Sequence, residues 1–242
     1  MPTAAPALLL PPEPPWKAGL RGARANLLPG LALWTVAAAA VASYYFWPAA
    51  HAAFEQLARF RERSGFFYAI VATGLCGGFI PFLYLRAQKN PGVPYVWRDA
   101  AFLTLVWAYK GIEVDLVYRG LALLLGTGHN PGTLLGKMFL DQFVYCPIWA
   151  VPSTLLVYVL REARYDWAVV GRRLDRRFYP REVLPALLAN LGVWVPAVLL
   201  IYSLPSPLQL PLFNVVLCFW TLILAHVAAQ PATPSPAPSM PS

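Results

Sequence analysis

Six stretches of this chain are each apolar over the length of a bilayer-spanning helix, and that pattern constrains the fold more than any other feature. They cover residues 31–50, 66–85, 100–125, 134–160, 183–203 and 211–228. An α-helix rises ~1.5 Å per residue, so roughly 20 apolar residues cross a hydrocarbon core about 30 Å thick. Only 12% of the residues are charged and the mean hydropathy is +0.52. A soluble domain carries about 25% charged residues. No segment alternates as a strand would, and no period repeats. The expectation is all-α: a polytopic transmembrane helical bundle of about six apolar helices, forming one domain over residues 30–229. Residues 1–29 form a Pro/Ala-rich leader and residues 230–242 a Pro/Ser/Ala tail, both read as disordered. The first apolar stretch starts too far along the chain for the core of a secretory signal, which favours a retained span over a signal anchor.

The formal net charge of +8 fits a nucleic-acid partner on its face, but the basic residues sit in the connections between spans. That is the positive-inside pattern, and no nucleic acid is expected. Lys17, Arg21 and Arg24 precede the first span. Arg86, Lys89 and Arg98 lie between the second and third. Arg161, Arg164, Arg172, Arg173, Arg176, Arg177 and Arg181 lie between the fourth and fifth. Residues 126–133 and 204–210 contain no Lys or Arg. Both termini are therefore expected on the cytoplasmic side or its organellar equivalent. Arg59, Arg61 and Arg63 dissent, because they fall in a connection assigned to the opposite side.

Within the fourth-to-fifth connection, Trp167, Val170, Leu174 and Phe178 recur at helical spacing. An amphipathic interfacial helix over 164–178 follows. Arg164, Arg172, Arg173, Arg176 and Arg177 would then face anionic lipid headgroups along 161–181.

The third stretch carries Lys110, Glu113, Asp115 and Arg119. Ionisable groups at that depth cost several kcal/mol (about 3 or more) unless paired or hydrated, so they seldom face lipid. Lys110 and Glu113 are three apart, Asp115 and Arg119 four apart, so each pair can meet along the helix. At ~100° per residue the two pairs point in nearly opposite directions, so protein or water must border this helix on two sides. Internal ion pairs and a solute pathway are both consistent with that. In the fourth stretch Lys137, Asp141 and Tyr145 recur every four residues as one polar stripe, and Pro147 interrupts the backbone ladder. Arg119 and Asp141 lie at matching depth across the short 126–133 connection. An ion pair between them is expected, with Asp115 one turn deeper sharing the arginine.

The three cysteines and three histidines show no metal-ligand spacing, and no phosphate-binding loop, dinucleotide fingerprint or nucleophile motif occurs. Neither catalysis, a metal nor a cofactor is expected.

The run Lys137-x-x-x-Asp141-Gln142 followed by Pro147 resembles the core motif of the Mpv-seventeen / 22-kDa peroxisomal membrane protein family. Downstream, Trp167, Tyr179-Pro180, Asn190, Trp194, Pro196, Pro205 and Trp220 keep the family's order. In the third stretch Gly111, Tyr118 and Arg119 match, whereas Ile112, Asp115 and Val117 stand where the family has Pro, His and Trp. The likeness spans about residues 66–228. It implies that four to five of the helices form a family-like core in a bacterial inner or organellar membrane. It also implies a channel or carrier-like pore for small solutes. Lys110, Glu113, Asp115, Tyr118, Arg119, Lys137, Asp141, Gln142, Asn190 and Trp194 are the candidate polar core. The alternative is a non-transporting scaffold, with room for a homo-oligomer in either case.

Overall fold

The computed structural model describes residues 14–87 and 94–228. Among these residues the chain is nine helices with no strand. They are α1 (Pro15–Ala25), α2 (Leu27–Phe46), α3 (Pro48–Ser64), α4 (Phe66–Ala87), α5 (Trp97–Leu125), α6 (Pro131–Glu162), α7 (Trp167–Arg173), α8 (Tyr179–Tyr202) and α9 (Ser206–Ala228). Four of them, α2, α4, α6 and α8, are long and apolar enough to cross a membrane. The apolar part of α9, Ser206–Leu222, is shorter. α5 has 29 residues and adds the ionisable groups to an otherwise apolar sequence. The expected all-helical architecture is what the chain adopts.

Local chemistry sets the helix ends. α2 stops at Phe46, short of the expected residue 50, because Trp47 turns extended (φ −120°, ψ 105°) and Pro48 opens α3 as its first residue. Proline suits that position, since its missing N–H would have no intrahelical partner there. α6 starts in the same way: Pro131 follows Asn130, whose side chain accepts from the Thr133 amide at 2.9 Å. Gly65, at φ +52°, turns the chain from α3 into α4.

Three stretches carry a wider backbone ladder, with i→i+5 in place of i→i+4 bonds: Gly74–Phe79 in α4, Leu140–Ala150 in α6 and Tyr179–Val183 in α8. Each ends two residues before a proline, namely Pro81, Pro152 and Pro185. A proline ring collides with the carbonyl four residues earlier, and a locally wider turn moves that carbonyl aside. Pro147 lies inside the longest of these stretches, where the sequence leads one to expect a break. Pro196 and Pro211 lie in ordinary helix.

The chain divides into two compact units. The first comprises the described parts of 1–34 and 130–199; the second those of 35–129 and 200–242. In the first unit, α1 packs on α8 through small residues. A Cβ on Gly19 would come within 2.8 Å of the Leu188 side chain, and one on Gly22 within 3.2 Å of Ala189 Cβ. This corrects the expectation of a disordered leader for residues 14–29: its glycines give the helix a face to dock. Trp34 Nε1 also donates to the Val193 carbonyl at 2.7 Å. Residues 1–13 and the tail expected at 230–242 lie outside the described residues.

In the second unit, α4 and α5 approach backbone to backbone. A Cβ on Gly111 would lie 2.2 Å from the Ala69 carbonyl oxygen, and one on Gly78 2.7 Å from that of Leu103. Only glycine fits at either crossing. α9 joins this pair, with the Thr73 hydroxyl donating to Asn214 Oδ1 at 2.8 Å.

Candidate functional site

The glycine crossings hold α5 with its charged positions turned into the second unit. Both ion pairs read from spacing form. Lys110 Nζ lies 3.0 Å from Glu113 Oε1, and Arg119 Nε lies 3.0 Å from Asp115 Oδ2. Lys110 is buried, and Asp115 is fully so. Asp115 also takes a second cation: Arg61, from α3, donates through Nη2 to Asp115 Oδ1. Arg61 is buried as well, while the Arg119 side chain is 46% exposed and lies over the Phe66 ring, 5.1 Å from its centroid. Two guanidiniums thus share one carboxylate. The centre carries one excess positive charge, and the buried Arg61 Nε has no acceptor. Tyr118, one turn from Asp115, packs its ring against Tyr202 and Phe213, at 5.2 and 6.1 Å between centroids.

Arg61 was missing from the sequence-based candidates. The signal was nonetheless present, because Arg59, Arg61 and Arg63 broke the charge pattern of the connections. An arginine that cannot be explained as a leaflet contact is a candidate for an internal one. Arg119 is held within its own unit by Asp115 and Phe66, and Asp141, its expected partner, belongs to the other unit.

The remaining candidates lie in the first unit. Lys137, Asp141 and Gln142 are all buried on α6. Gln142 Nε2 donates to Asp141 Oδ1 at 3.2 Å, and the Cys146 thiol lies 3.8 Å from the same oxygen. The five-residue step from Asp141 to Cys146 is the signature of the wide ladder. Beyond Asp141 the every-four spacing to Tyr145 gives way to a five-residue contact with Cys146. On α8, Trp194 is buried and Asn190 half-buried. The candidate polar core is consequently distributed over two units: Lys110, Glu113, Asp115, Tyr118 and Arg119 in one, and Lys137, Asp141, Gln142, Asn190 and Trp194 in the other.

The expected interfacial helix over 164–178 is also corrected. Arg164 and Tyr165 adopt left-handed backbone, at φ 53° and 68°, which ends the preceding helix. Asp166 then caps the seven-residue α7 by accepting from the Ala168 and Val169 amides at 2.8 and 3.3 Å. Leu174 leaves the helical region, and the Asp175 side chain accepts from the Arg177 amide at 2.9 Å to make a turn. Arg173 bridges Glu182 at 2.8 Å and Glu162 at 3.0 Å. The hydrogen bond to Glu182 does most to raise its guanidinium above the ordinary arginine value; burial opposes this and the Glu162 bond adds to it. Arg164, Arg172, Arg176 and Arg177 remain exposed.

No protein-family model matches the chain, and no curated protein or solved structure matches it either. The class that the fold defines is an α-helical membrane-embedded protein.

Proposed function

We propose that this protein lets small anionic solutes cross a membrane, with Arg61, Asp115 and Arg119 as its charge-selecting centre. The observation that carries the reading is two guanidiniums, one buried and one half-exposed, on a single buried carboxylate. A single carboxylate neutralises a single arginine, so the second guanidinium is left with charge that another anion or water can meet. Arg119 is the exposed member, so a solute carboxylate or phosphate would meet it first, with the bidentate fork suited to both groups. The resemblance to the Mpv-seventeen / 22-kDa peroxisomal membrane protein family points the same way. With it comes a bacterial inner or organellar membrane, while the distribution of Lys and Arg among the connections supports termini on the cytoplasmic side. The exposed Arg164, Arg172, Arg176 and Arg177 would rest on anionic headgroups and set the depth of the connection. A self-association of copies is compatible with this reading.

A second reading, a non-transporting scaffold, draws on the Lys110–Glu113 ion pair, which forms along α5 without needing a solute. Flux separates the two. The full-length chain reconstituted in liposomes should pass small carboxylates faster than cations of similar size. Arg119→Gln should lower that preference while leaving the reconstituted yield unchanged. Liposomes no leakier than protein-free controls would reject transport in favour of the scaffold.

A further inference from the structure

The charge centre accounts for only one of the three arginines that break the pattern of the connections. Arg61 turns inward to Asp115. Arg59 and Arg63 are exposed, and among the described residues neither is in an ion pair. Both sit on α3, which joins α2 to α4 through the extended Trp47 at one end and Gly65 at the other. Its 17 residues, at ~1.5 Å each, make a rod about 25 Å long.

α3 has two faces. Phe54, Leu57, Ala58 and Arg61 share one, on which Ala58 and Arg61 are buried. Ala52, Gln56, Arg59, Phe60 and Arg63 share the other, at helical spacing, and all five are exposed. The two acids of the helix lie off that outer face. Glu55 accepts from the Tyr44 hydroxyl at 3.1 Å, and Glu62 stands ~100° round the axis from Arg63. Exposed aromatic rings bracket the helix, with Phe46 and Trp47 before it and Phe66 and Phe67 after it.

Place and charge together say what covers this face. α2 and α4 are both long and apolar enough to cross a membrane. A helix that joins two such spans lies where one leaves the bilayer and the next re-enters it. Tryptophan concentrates at that headgroup level, as Trp47 does here. A face with two arginines, no acid and a phenylalanine between them complements an anionic headgroup above acyl chains.

We propose that α3 is an interfacial helix whose outer face docks anionic phospholipid headgroups through Arg59 and Arg63. Each guanidinium meets a lipid phosphate, and Phe60 dips toward the acyl chains. The contact holds α3 over the charge centre, to which the same helix supplies Arg61. It does not depend on whether the centre passes solutes.

The test uses the full-length chain with Phe60 replaced by a photo-crosslinking phenylalanine, reconstituted in liposomes of phosphatidylcholine and phosphatidylglycerol in equal parts. Mass spectrometry after illumination should find lipid adducts enriched in phosphatidylglycerol. The same probe at Leu105, exposed on α5, should give adducts in bulk proportion. Arg59→Gln and Arg63→Gln should each lower the enrichment at residue 60 by about fivefold, and raised salt should lower it in the chain that keeps both arginines. The salt series keeps the idea open to refutation should the variants fail to fold. Adducts at residue 60 in bulk proportion, enrichment that survives both substitutions or high salt, or a cross-link to a second copy in place of lipid would each overturn the proposal.

Discussion

α5 and α6 each carry oppositely charged residues at helical spacing, but on different backbone ladders. In α5 the ladder is regular, and the i,i+3 pair Lys110–Glu113 and the i,i+4 pair Asp115–Arg119 both close at 3.0 Å. In α6 the ladder widens from Leu140 to Ala150, and Asp141 meets Cys146, five residues on. The buried positions follow suit: Val114, Asp115, Tyr118 and Leu121 step by one, three and three on α5, but Asp141, Gln142 and Cys146 step by one and four on α6, closing on the fifth residue. Spacing predicts neighbours only for a known ladder, and proline decides which ladder the chain uses.

The largest test of this contrast is Asp115→Ala. It strands Arg61 and Arg119 together, and breaking a buried ionic contact costs about 3–5 kcal/mol. The folded fraction recovered in detergent should collapse. Asp141→Ala, on the widened ladder, should also lower the folded fraction, since Asp141 is buried and accepts from the Gln142 amide; an unchanged recovery would mean that this carboxylate contributes nothing to the fold. A smaller effect comes from a double-mutant cycle on Lys110→Ala and Glu113→Ala, with an expected coupling of about 1–2 kcal/mol, within the range typical of contacting residues. Additive single variants would mean that the pair contributes nothing to α5. Smallest in stability is Pro147→Ala, which restores an N–H to the ladder and favours its narrowing. Cys146 should then separate from Asp141 and react faster with maleimide while Cys218 does not change; an unchanged Cys146 rate would show that the wide ladder does not depend on this proline.

The regular helix was the legible one. Apolar length gave the helices, and the facing pairs on α5 followed from residue identity and the 3.6-residue turn. Pro147 was equally visible, but its consequence was not, since a missing N–H signals a disturbance without saying whether the helix kinks or widens. Arg61 was hidden for another reason. It sits among exposed arginines in a connection, and only the buried carboxylate of Asp115, fifty-four residues later, shows why one of the three turns inward. The helix at Pro15–Ala25 was masked by its prolines, although Gly19 and Gly22 supply the docking face. The division into two units could not be read at all, because one apolar helix is as soluble in lipid as another and packing partners are chosen by shape.

The wide turns also act as slack in the chain. Each turn of i→i+5 bonding takes up one residue more than an ordinary turn, and one residue of α-helix is worth ~100° of rotation about the axis. A helix with such a turn holds a spare residue that it can give up by tightening. α4, α6 and α8 can therefore absorb the deletion of a single residue near their prolines, with the faces downstream kept in phase. α5, bonded regularly from Trp97 to Leu125, has no such reserve. One residue lost between Gly111 and Asp115 would swing the carboxylate away from Arg61 or pull the glycine off its crossing. The sequence of α5 is pinned in length, and that of the proline-bearing helices is free to drift by one.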